Sequence, residues 1–178
     1  MTATMNIEDV KKKIRAVVDF PKPGIIFRDI TTGIKDAQAL RQMIDYMSEQ
    51  FKDEKIDYIV GAESRGFIFG TAMAYKMNCG FIPVRKPNKL PAETISEEYE
   101  LEYGTDKIEI HADAIEKGAK VLFVDDLLAT GGTANAACNL IKKVGGELVG
   151  AAFLIELKDL NGRDKLHDCG KIISMLQY

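Results

Sequence analysis

Residues 121–133 constrain the fold of this chain more than any other segment, because their sequence, VLFVDDLLATGGT, joins an apolar run to two acids and a glycine-rich loop. Residues 120–124 form a short apolar run with β-branched side chains, which predicts a buried strand. Residues 134–144 carry apolar side chains at helical spacing, so the loop connects a strand to a helix. Units of this kind build parallel α/β sheets.

The loop between this strand and helix has the composition of a phosphate site. Free N–H groups at a helix N-terminus, approached closely through glycines, hold phosphate without a dedicated cation. The candidate phosphate-binding residues are Ala129, Thr130, Gly131, Gly132 and Thr133. Asp125 and Asp126 come at the carboxyl end of the strand, where ligands of open α/β sheets bind and where carboxylates suit ribose hydroxyls. The chain contains neither a Walker sequence nor the dinucleotide fingerprint Gly-x-Gly-x-x-Gly, so we interpret the loop as a nucleotide-sugar site.

A second candidate anion site follows another short apolar run, at residues 61–66, GAESRG. Arg65 can give a two-pronged, charge-assisted hydrogen bond to a pair of pyrophosphate oxygens. From the sequence alone, an ordinary strand-to-helix turn with an exposed arginine explains these residues equally well. Arg85, Lys86 and Lys89 add local basic charge, which either completes this site or belongs to a solvated loop.

The rest of the chain alternates strand and helix patterns, which favours a parallel α/β sheet. Strands are predicted at residues 58–60, 81–84, 120–124, 148–157 and 171–176. Helical stripes are predicted from Ile7, Val10, Ile14, Val17 and Val18, and from Leu40, Met43, Ile44, Met47 and Phe51.

Residues 98–103, EYELEY, break this alternation and predict an antiparallel hairpin inserted into the parallel fold. Residues 104–106 are expected to turn the chain toward Ile108 and Ile110. Glu102 is a candidate proton-transfer group on this hairpin, but its spacing alone favours a solvated acid.

A loop near the N-terminus is constrained by Pro21, Pro23 and Gly24 and is followed by Phe27. A rigid loop that presents an aromatic ring suits stacking on a flat base. The alternative is that Phe27 fills the core and that the prolines end the first helix.

Five segments resemble one family, in chain order DFPKPGIIFRDIT, GAESRGFIFG, PVRKPNKLPAET, YELEYG and VDDLLATGGT. The last is similar to the phosphoribosyl pyrophosphate loop of the type I phosphoribosyltransferases, and the others narrow the resemblance to the adenine phosphoribosyltransferases. The resemblance covers nearly the whole chain. It implies an α/β type I phosphoribosyltransferase fold, with a central, mainly parallel sheet flanked by helices, as a single domain of residues 1–178. It also implies an N-terminal purine-binding hood at 1–34 and a flexible lid hairpin at 87–111.

The activity implied by this resemblance is that of a glycosyltransferase, more closely a pentosyltransferase of purine salvage, which converts adenine and phosphoribosyl pyrophosphate to AMP and pyrophosphate. Mg²⁺ is implied as a substrate-bound ion without direct protein ligands, and a homodimer is implied as the assembly. The implied catalytic residues are Glu102, Asp125 and Asp126, with Tyr103 as a weaker lid candidate. The resemblance also implies six pyrophosphate-binding residues, Glu63, Ser64, Arg65, Arg85, Lys86 and Lys89. It further implies a strained or cis peptide near Glu63 and Ser64. The implied adenine-binding residues are Ile26, Phe27, Arg28 and Leu157.

The composition excludes several other classes of function. A net charge of −3 without a clustered basic face argues against nucleic-acid binding. No apolar run reaches the roughly 18 residues of a membrane span, and the N-terminus lacks a signal-peptide core, so we expect a cytoplasmic protein. Two alternatives stay open: a phosphoribosyltransferase for a 6-oxopurine, in which Lys158 reads the oxygen, and a catalytically silent regulator that senses purine or phosphoribosyl pyrophosphate.

Overall fold

The computed structural model describes residues 6–100 and 104–178, and the chain divides into a unit that ends at Tyr46 and a unit that begins at Met47. The first unit contains α1 (Ile7–Lys13), β1 (Arg15–Val18), β2 (Ile26–Asp29) and α2 (Thr31–Ile34). The helix α3 (Ala37–Glu49) contains the boundary between the two units.

The second unit contains the predicted parallel sheet. Its elements are β3 (Tyr58–Ala62), α4 (Gly66–Met77), β4 (Gly80–Val84), β5 (Thr94–Glu100), β6 (Thr105–His111), β7 (Lys120–Leu128), α5 (Gly132–Lys143), β8 (Glu147–Glu156) and β9 (Lys171–Gln177). Two short 3₁₀ turns, Lys158–Leu160 and Gly162–Lys165, join β8 to β9. Within the described residues of this unit, five parallel strands lie in the order β4-β3-β7-β8-β9, and β5 pairs with β6 as a separate antiparallel hairpin.

The central strand β7 is longer than its neighbour β3, and this difference creates the site edge. β3 pairs with β7 as far as Val124, whereas β8 continues to pair with β7 as far as Leu128. The predicted strand at 120–124 therefore extends further than expected, because hydrogen bonds to β8 remain available after β3 has ended. Residues 125–128 of β7 keep one strand neighbour and leave their other edge open toward a pocket.

The core of the second unit is formed by apolar strand residues that alternate across the sheet and by the inner faces of its helices. Phe123 of β7 and Phe153 of β8 are both fully buried, and their rings meet edge to face at 6.0 Å. Buried aromatic pairs of this kind contribute about 0.5–1.5 kcal/mol beyond the burial of their area. The strands that support the site edge are thus fixed by packing close to it.

Two local predictions from spacing are wrong. The first apolar stripe does not form one helix, because α1 ends at Lys13 and the β-branched Val17 and Val18 lie in β1, paired with β2. The hairpin turn does not include Thr105 and Asp106, which are already paired in β6. In both cases antiparallel pairing with the adjacent strand outweighs the local pattern.

Candidate active site

The predicted phosphate-binding residues lie together, between β7 and the first turn of α5. Gly131 precedes the helix with φ of 80°, and Gly132 and Thr133 begin it. The first N–H groups of an α-helix have no acceptor within the helix, so they point outward for an anion. The loop residues 129–133 line a pocket of about 400 Å³. The structure therefore brings all five predicted residues to one cavity.

Gly131 is required at its position for two separate reasons. Its positive φ is a conformation that other residues adopt only at a cost of about 1–3 kcal/mol. In addition, a Cβ atom at this position would lie 2.3 Å from the carbonyl oxygen of Gly162. The candidate phosphate loop, residues 129–133, is therefore packed backbone against backbone on the segment that follows β8.

Asp125 and Asp126 line the same pocket and lie within β7, not beyond its end. The Asp125 carboxylate accepts the N–H of Asp126 at 2.8 Å, and Arg65 Nε lies 2.6 Å from Asp126 Oδ2. Burial raises the pKa of Asp125 well above the usual carboxyl value, and the negative charge of Asp126 adds to the rise. Burial also raises the pKa of Asp126, although Arg65 counteracts this. Burial therefore opposes the charged form of both acids, and Arg65 favours the charged form of Asp126.

The pyrophosphate candidates after β3 form a network of ion pairs. The peptide between Glu63 and Ser64 is cis, as the family resemblance implies. Glu63 accepts hydrogen bonds from Arg85 at 3.1 and 3.2 Å and from the Lys86 N–H at 3.0 Å, and Arg85 holds the pKa of Glu63 below its usual value. Arg85 also donates to the carbonyl oxygen of Lys89 at 3.3 Å. Among the described residues that line the pocket, Glu63, Ser64 and Lys86 are present, whereas Arg85 and Lys89 are not.

The hairpin β5–β6 contributes residues that the sequence did not single out. Lys86 Nζ pairs with Asp106 and lies 3.2 Å from the hydroxyl group of Tyr99, which itself donates to Asp106 at 3.0 Å. Tyr99 and Ile108 line the pocket, and the Tyr99 ring lies next to Gly132, where a Cβ atom would approach the ring to 3.2 Å. The alternation of side chains along the two strands is the signal that could have identified Tyr99 and Ile108, since each is less exposed than its sequence neighbours.

Comparison with known proteins decides the family of the chain. A family model described as phosphoribosyl transferase domain matches residues 31–174. An adenine phosphoribosyltransferase from Brachyspira hyodysenteriae is 61% identical over 158 residues, which are 89% of this chain and 93% of that protein. The chain belongs to the adenine phosphoribosyltransferase family.

Solved structures of this family share the fold of the chain. The adenine phosphoribosyltransferase from Thermoanaerobacter pseudethanolicus superposes with a TM-score of 0.93 at 50% identity, covering 97% of this chain and 100% of that one. The Saccharomyces cerevisiae enzyme, complexed with an imino-altritol bisphosphate and adenine, gives 0.90 at 40% identity over 96% of this chain and 98% of that one. The predicted family and the predicted type I phosphoribosyltransferase fold are confirmed.

The residues implied by the family resemblance to bind adenine lie in different units. Ile26, Phe27 and Arg28 form most of β2 in the first unit, whereas Leu157 follows β8 in the second. The Phe27 ring packs edge to face on Phe20 at 5.3 Å, so it has an aromatic neighbour within its own hairpin. Among the described residues that line the pocket, Leu157 is absent.

The remaining family predictions concern the lid and the metal. Glu102 and Tyr103 lie outside the residues that the structure describes. Within residues 6–100 and 104–178, no group of three or more His, Cys, Asp or Glu side chains is placed to hold a metal ion. Within the same ranges, no helix has the length and apolar character needed to cross a membrane.

Proposed function

We propose that the protein transfers the phosphoribosyl group of phosphoribosyl pyrophosphate to adenine, giving AMP and pyrophosphate. One observation supports this above all others: the backbone loop at 129–133 and the acidic pair Asp125 and Asp126 line a single pocket. A phosphate bound by the loop amides leaves its ribose beside carboxylates, which is the arrangement that a ribose 5-phosphate group requires. The name of the family agrees with this reaction.

The 5′-phosphate group is bound, in this proposal, by the N–H groups of the loop and of the first turn of α5. These donors are fixed by the helix itself, so binding orders no flexible side chain. Thr130 and Thr133 also line the pocket, and their hydroxyl groups add donors. The group takes no part in bond breaking and serves as the anchor of the substrate.

The two acids act on the ribose. In the proposed step the bond between C1′ and a pyrophosphate oxygen breaks, and the bond between C1′ and N9 of adenine forms. Positive charge develops on the ribose in the transition state, where the fixed carboxylates Asp125 and Asp126 stabilise it more than in the ground state. The N9 proton leaves to a base, for which we propose Glu102 with Tyr103 beside it on the lid.

Mg²⁺ fits the donor set of this pocket, because carboxylates are the hard oxygen ligands that it prefers. We propose that the ion is held mainly by pyrophosphate and ribose hydroxyl oxygens, with Asp125 and Asp126 as nearby carboxylates. When bound, Mg²⁺ supplies positive charge that neutralises the departing pyrophosphate.

The pyrophosphate group is received by the segment after β3 and by the basic residues after β4. Arg65 and Lys86 line the pocket and supply positive charge there, and Arg65 is paired with Asp126. Glu63 and Ser64 shape this side, while Arg85 and Lys89 are assigned to the same basic cluster. Since Arg65 is paired with Asp126, pyrophosphate must compete for the guanidinium group.

We further propose that Ile26, Phe27, Arg28 and Leu157 bind adenine, the first three from the purine-binding hood at 1–34. The exposed apolar side chains around the loop between β1 and β2 suit contact with a flat ring, and Ile26 is 47% exposed. The chain is proposed to act as one phosphoribosyltransferase domain with a lid hairpin at 87–111, and as a homodimer.

The proposal is tested with purified protein, Mg²⁺, phosphoribosyl pyrophosphate and, in separate reactions, adenine, hypoxanthine, guanine or xanthine. Pyrophosphate release is measured in each. Release with adenine alone is the expected result. Release with an oxopurine would keep the phosphate chemistry but reject the adenine assignment, and no release with any base would favour a regulator that only binds these ligands.

A further inference from the structure

Gly162, which begins the 3₁₀ turn Gly162–Lys165, packs with its backbone against the backbone of residues 129–131. A Cβ atom on Gly162 would lie 2.1 Å from the Ala129 carbonyl oxygen and 2.9 Å from the Gly131 nitrogen. The approach is reciprocal, since a Cβ atom on Gly131 would meet the Gly162 carbonyl oxygen. Neither Gly131 nor Gly162 has a side chain that could absorb a displacement at this contact, so we infer that the position of Gly162 influences the position of the loop.

The neighbouring residue, Arg163, is fixed by hydrogen bonds to two strands of the sheet. Its guanidinium group donates two hydrogen bonds to the carboxylate of Glu156 at the end of β8, at 3.0 and 2.5 Å. It also donates to the carbonyl oxygen of Ile172 at 3.0 Å and to the Ser174 hydroxyl group at 3.2 Å, both on β9. Ser174 donates in turn to Glu156 at 2.7 Å, and Glu156 is buried. Bidentate pairs of this kind hold both position and orientation.

We propose that Arg163, held by Glu156 and Ser174, is a positioning residue that fixes the phosphate loop through Gly162. Arg163 is not among the described residues that line the pocket, so its influence on the ligand passes through the backbone contact. The identity of the bound group as the 5′-phosphate rests on the proposed function. A misplacement of about 1 Å in a site can cost about 100-fold in rate, so a smaller relaxation of the loop has measurable consequences.

The test compares Arg163→Met, which keeps the aliphatic stem and removes the fork, with Arg163→Lys, which keeps the charge. Lys120→Met is the matched control, because it removes an ion pair between Lys120 of β7 and Glu147, which lies at the opposite end of β8 from Glu156. The measurements are KM for phosphoribosyl pyrophosphate, KM for adenine, the AMP dissociation constant by calorimetry, and the thermal midpoint.

We expect Arg163→Met to raise both the phosphoribosyl pyrophosphate KM and the AMP dissociation constant by about tenfold, with the adenine KM changed less than about twofold. For both constants, Arg163→Lys should give values between those of Arg163→Met and wild type. Lys120→Met should match wild type in both. A lower thermal midpoint with unchanged constants would show a purely structural role and overturn the proposal. If Arg163→Met does not fold, Ser174→Ala is used instead, because it removes a single hydroxyl group. It should likewise raise the phosphoribosyl pyrophosphate KM more than the adenine KM.

The outcome also separates this inference from the proposed reaction. A wild-type protein that binds AMP but transfers no phosphoribosyl group rejects the reaction, and the role of Arg163 is then decided from AMP binding alone. A wild-type protein that binds no AMP rejects both.

Discussion

The loops after β7 and β3 follow neighbouring parallel strands and line one pocket, yet they are built in different ways. The loop after β7 offers backbone N–H groups and carries no charged side chain at 129–133. The loop after β3 offers Glu63 and Arg65, each already paired with an opposite charge. Under the proposed reaction the 5′-phosphate stays bound from substrate to product, whereas pyrophosphate leaves. Fixed amides suit the group that stays, and exchangeable ion pairs suit the group that departs.

The energetic consequence of this difference is also opposite for the two loops. Backbone donors at a helix N-terminus are already ordered, so their binding energy is reduced little by lost conformational entropy. Arg65 must instead give up its contact with Asp126 to reach a ligand, and a buried carboxylate left without its partner is destabilised. Under the proposed function, the first loop therefore contributes affinity, and the second couples pyrophosphate binding to the charge state of the acids.

The largest effect is expected from Gly131→Ala. The added Cβ atom meets the Gly162 carbonyl oxygen at 2.3 Å and the backbone must also hold φ of 80°, so the phosphate loop has to move. We expect activity to fall about 100-fold or more, because loop displacement removes the amide geometry that binds phosphate. Steady-state rates with both substrates and AMP binding by calorimetry measure this.

Gly118→Ala is the matched control for Gly131→Ala. Gly118 has φ of 81°, but a Cβ atom added there would have no atom within 4 Å, so the variant reproduces the backbone strain without the collision. It should lower the free energy of unfolding by about 1 kcal/mol and leave the AMP dissociation constant unchanged. Equal activity losses in the two variants would show that strain, and not the contact with Gly162, controls the loop.

The next largest effect is expected from Arg65→Met, and it should fall on one ligand only. Measured in the direction from AMP and pyrophosphate, the KM for pyrophosphate should rise about 10- to 100-fold, the range expected when a charged hydrogen bond worth about 1.5–3 kcal/mol is lost. The KM for AMP should change by less than about threefold, because the phosphate loop is untouched. Arg65→Lys is the control that keeps the charge without the fork.

An equal rise of both constants in Arg65→Met would contradict the division of labour between the loops. It would mean that Arg65 supports the shared acids and not the pyrophosphate group. The comparison therefore depends on the ratio of the two constants and not on the loss of activity itself.

The position of residues 129–133 between a strand and a helix was predictable from the sequence because its features are local. The strand, the acids, the glycines and the helix that follows all fall within residues 120–144, so one periodicity reading finds them. The five sheet strands were predictable for the same reason, although the extension of β7 to Leu128 depends on β8 and was not.

What the sequence did not reveal depends on contacts between distant segments. The pairing of Lys86 with Asp106 spans 20 residues and joins the end of β4 to the hairpin. The close approach of Gly162 to Gly131 likewise has no local signal, because glycines also occur in ordinary turns. The family resemblance, and not the spacing, carries the assignment of Glu102.

A smaller effect with a characteristic sign is expected from the pH dependence of stability. The pKa of Asp125 is raised in the folded protein, so the stabilisation it gives is present below the usual carboxyl value of about 4 and is lost as pH rises through the folded-state pKa. Asp125→Asn cannot ionise, and its free energy of unfolding relative to wild type should therefore increase with pH. Chemical denaturation at several pH values from about 4 to 8 measures this.

Glu63→Gln provides a control with the opposite sign. The pKa of Glu63 is lowered by Arg85, so its stabilisation is present above the usual carboxyl pKa and is lost as pH falls through the folded-state pKa. This variant should be less stable than wild type at neutral pH, and the difference should shrink toward acid pH. If the stability difference from wild type changed with pH in the same direction for Asp125→Asn and Glu63→Gln, the contrast between the raised pKa of Asp125 and the lowered pKa of Glu63 would be wrong.

The smallest effect is expected from Glu97→Gln, which tests the side-chain contact between the hairpin and α5. Glu97 on β5 accepts a hydrogen bond from Asn139 at 3.1 Å and pairs with Lys143, both on α5, whose first turn carries the proposed phosphate-binding N–H groups. Partly exposed ion pairs contribute about 0–1 kcal/mol, so kcat should fall about two- to threefold without a change in AMP affinity. Raising the salt concentration should lower the kcat of wild type toward that of the variant, because screening weakens the ion pair between Glu97 and Lys143. Lys143→Met should show the same loss, and the double variant should be no slower than either single variant, since both remove one interaction. A much larger loss of kcat would contradict this expectation. It would show that the contact between Glu97 and α5 is as important to the phosphate loop as the fixed backbone contacts, and not a weak, exchangeable ion pair.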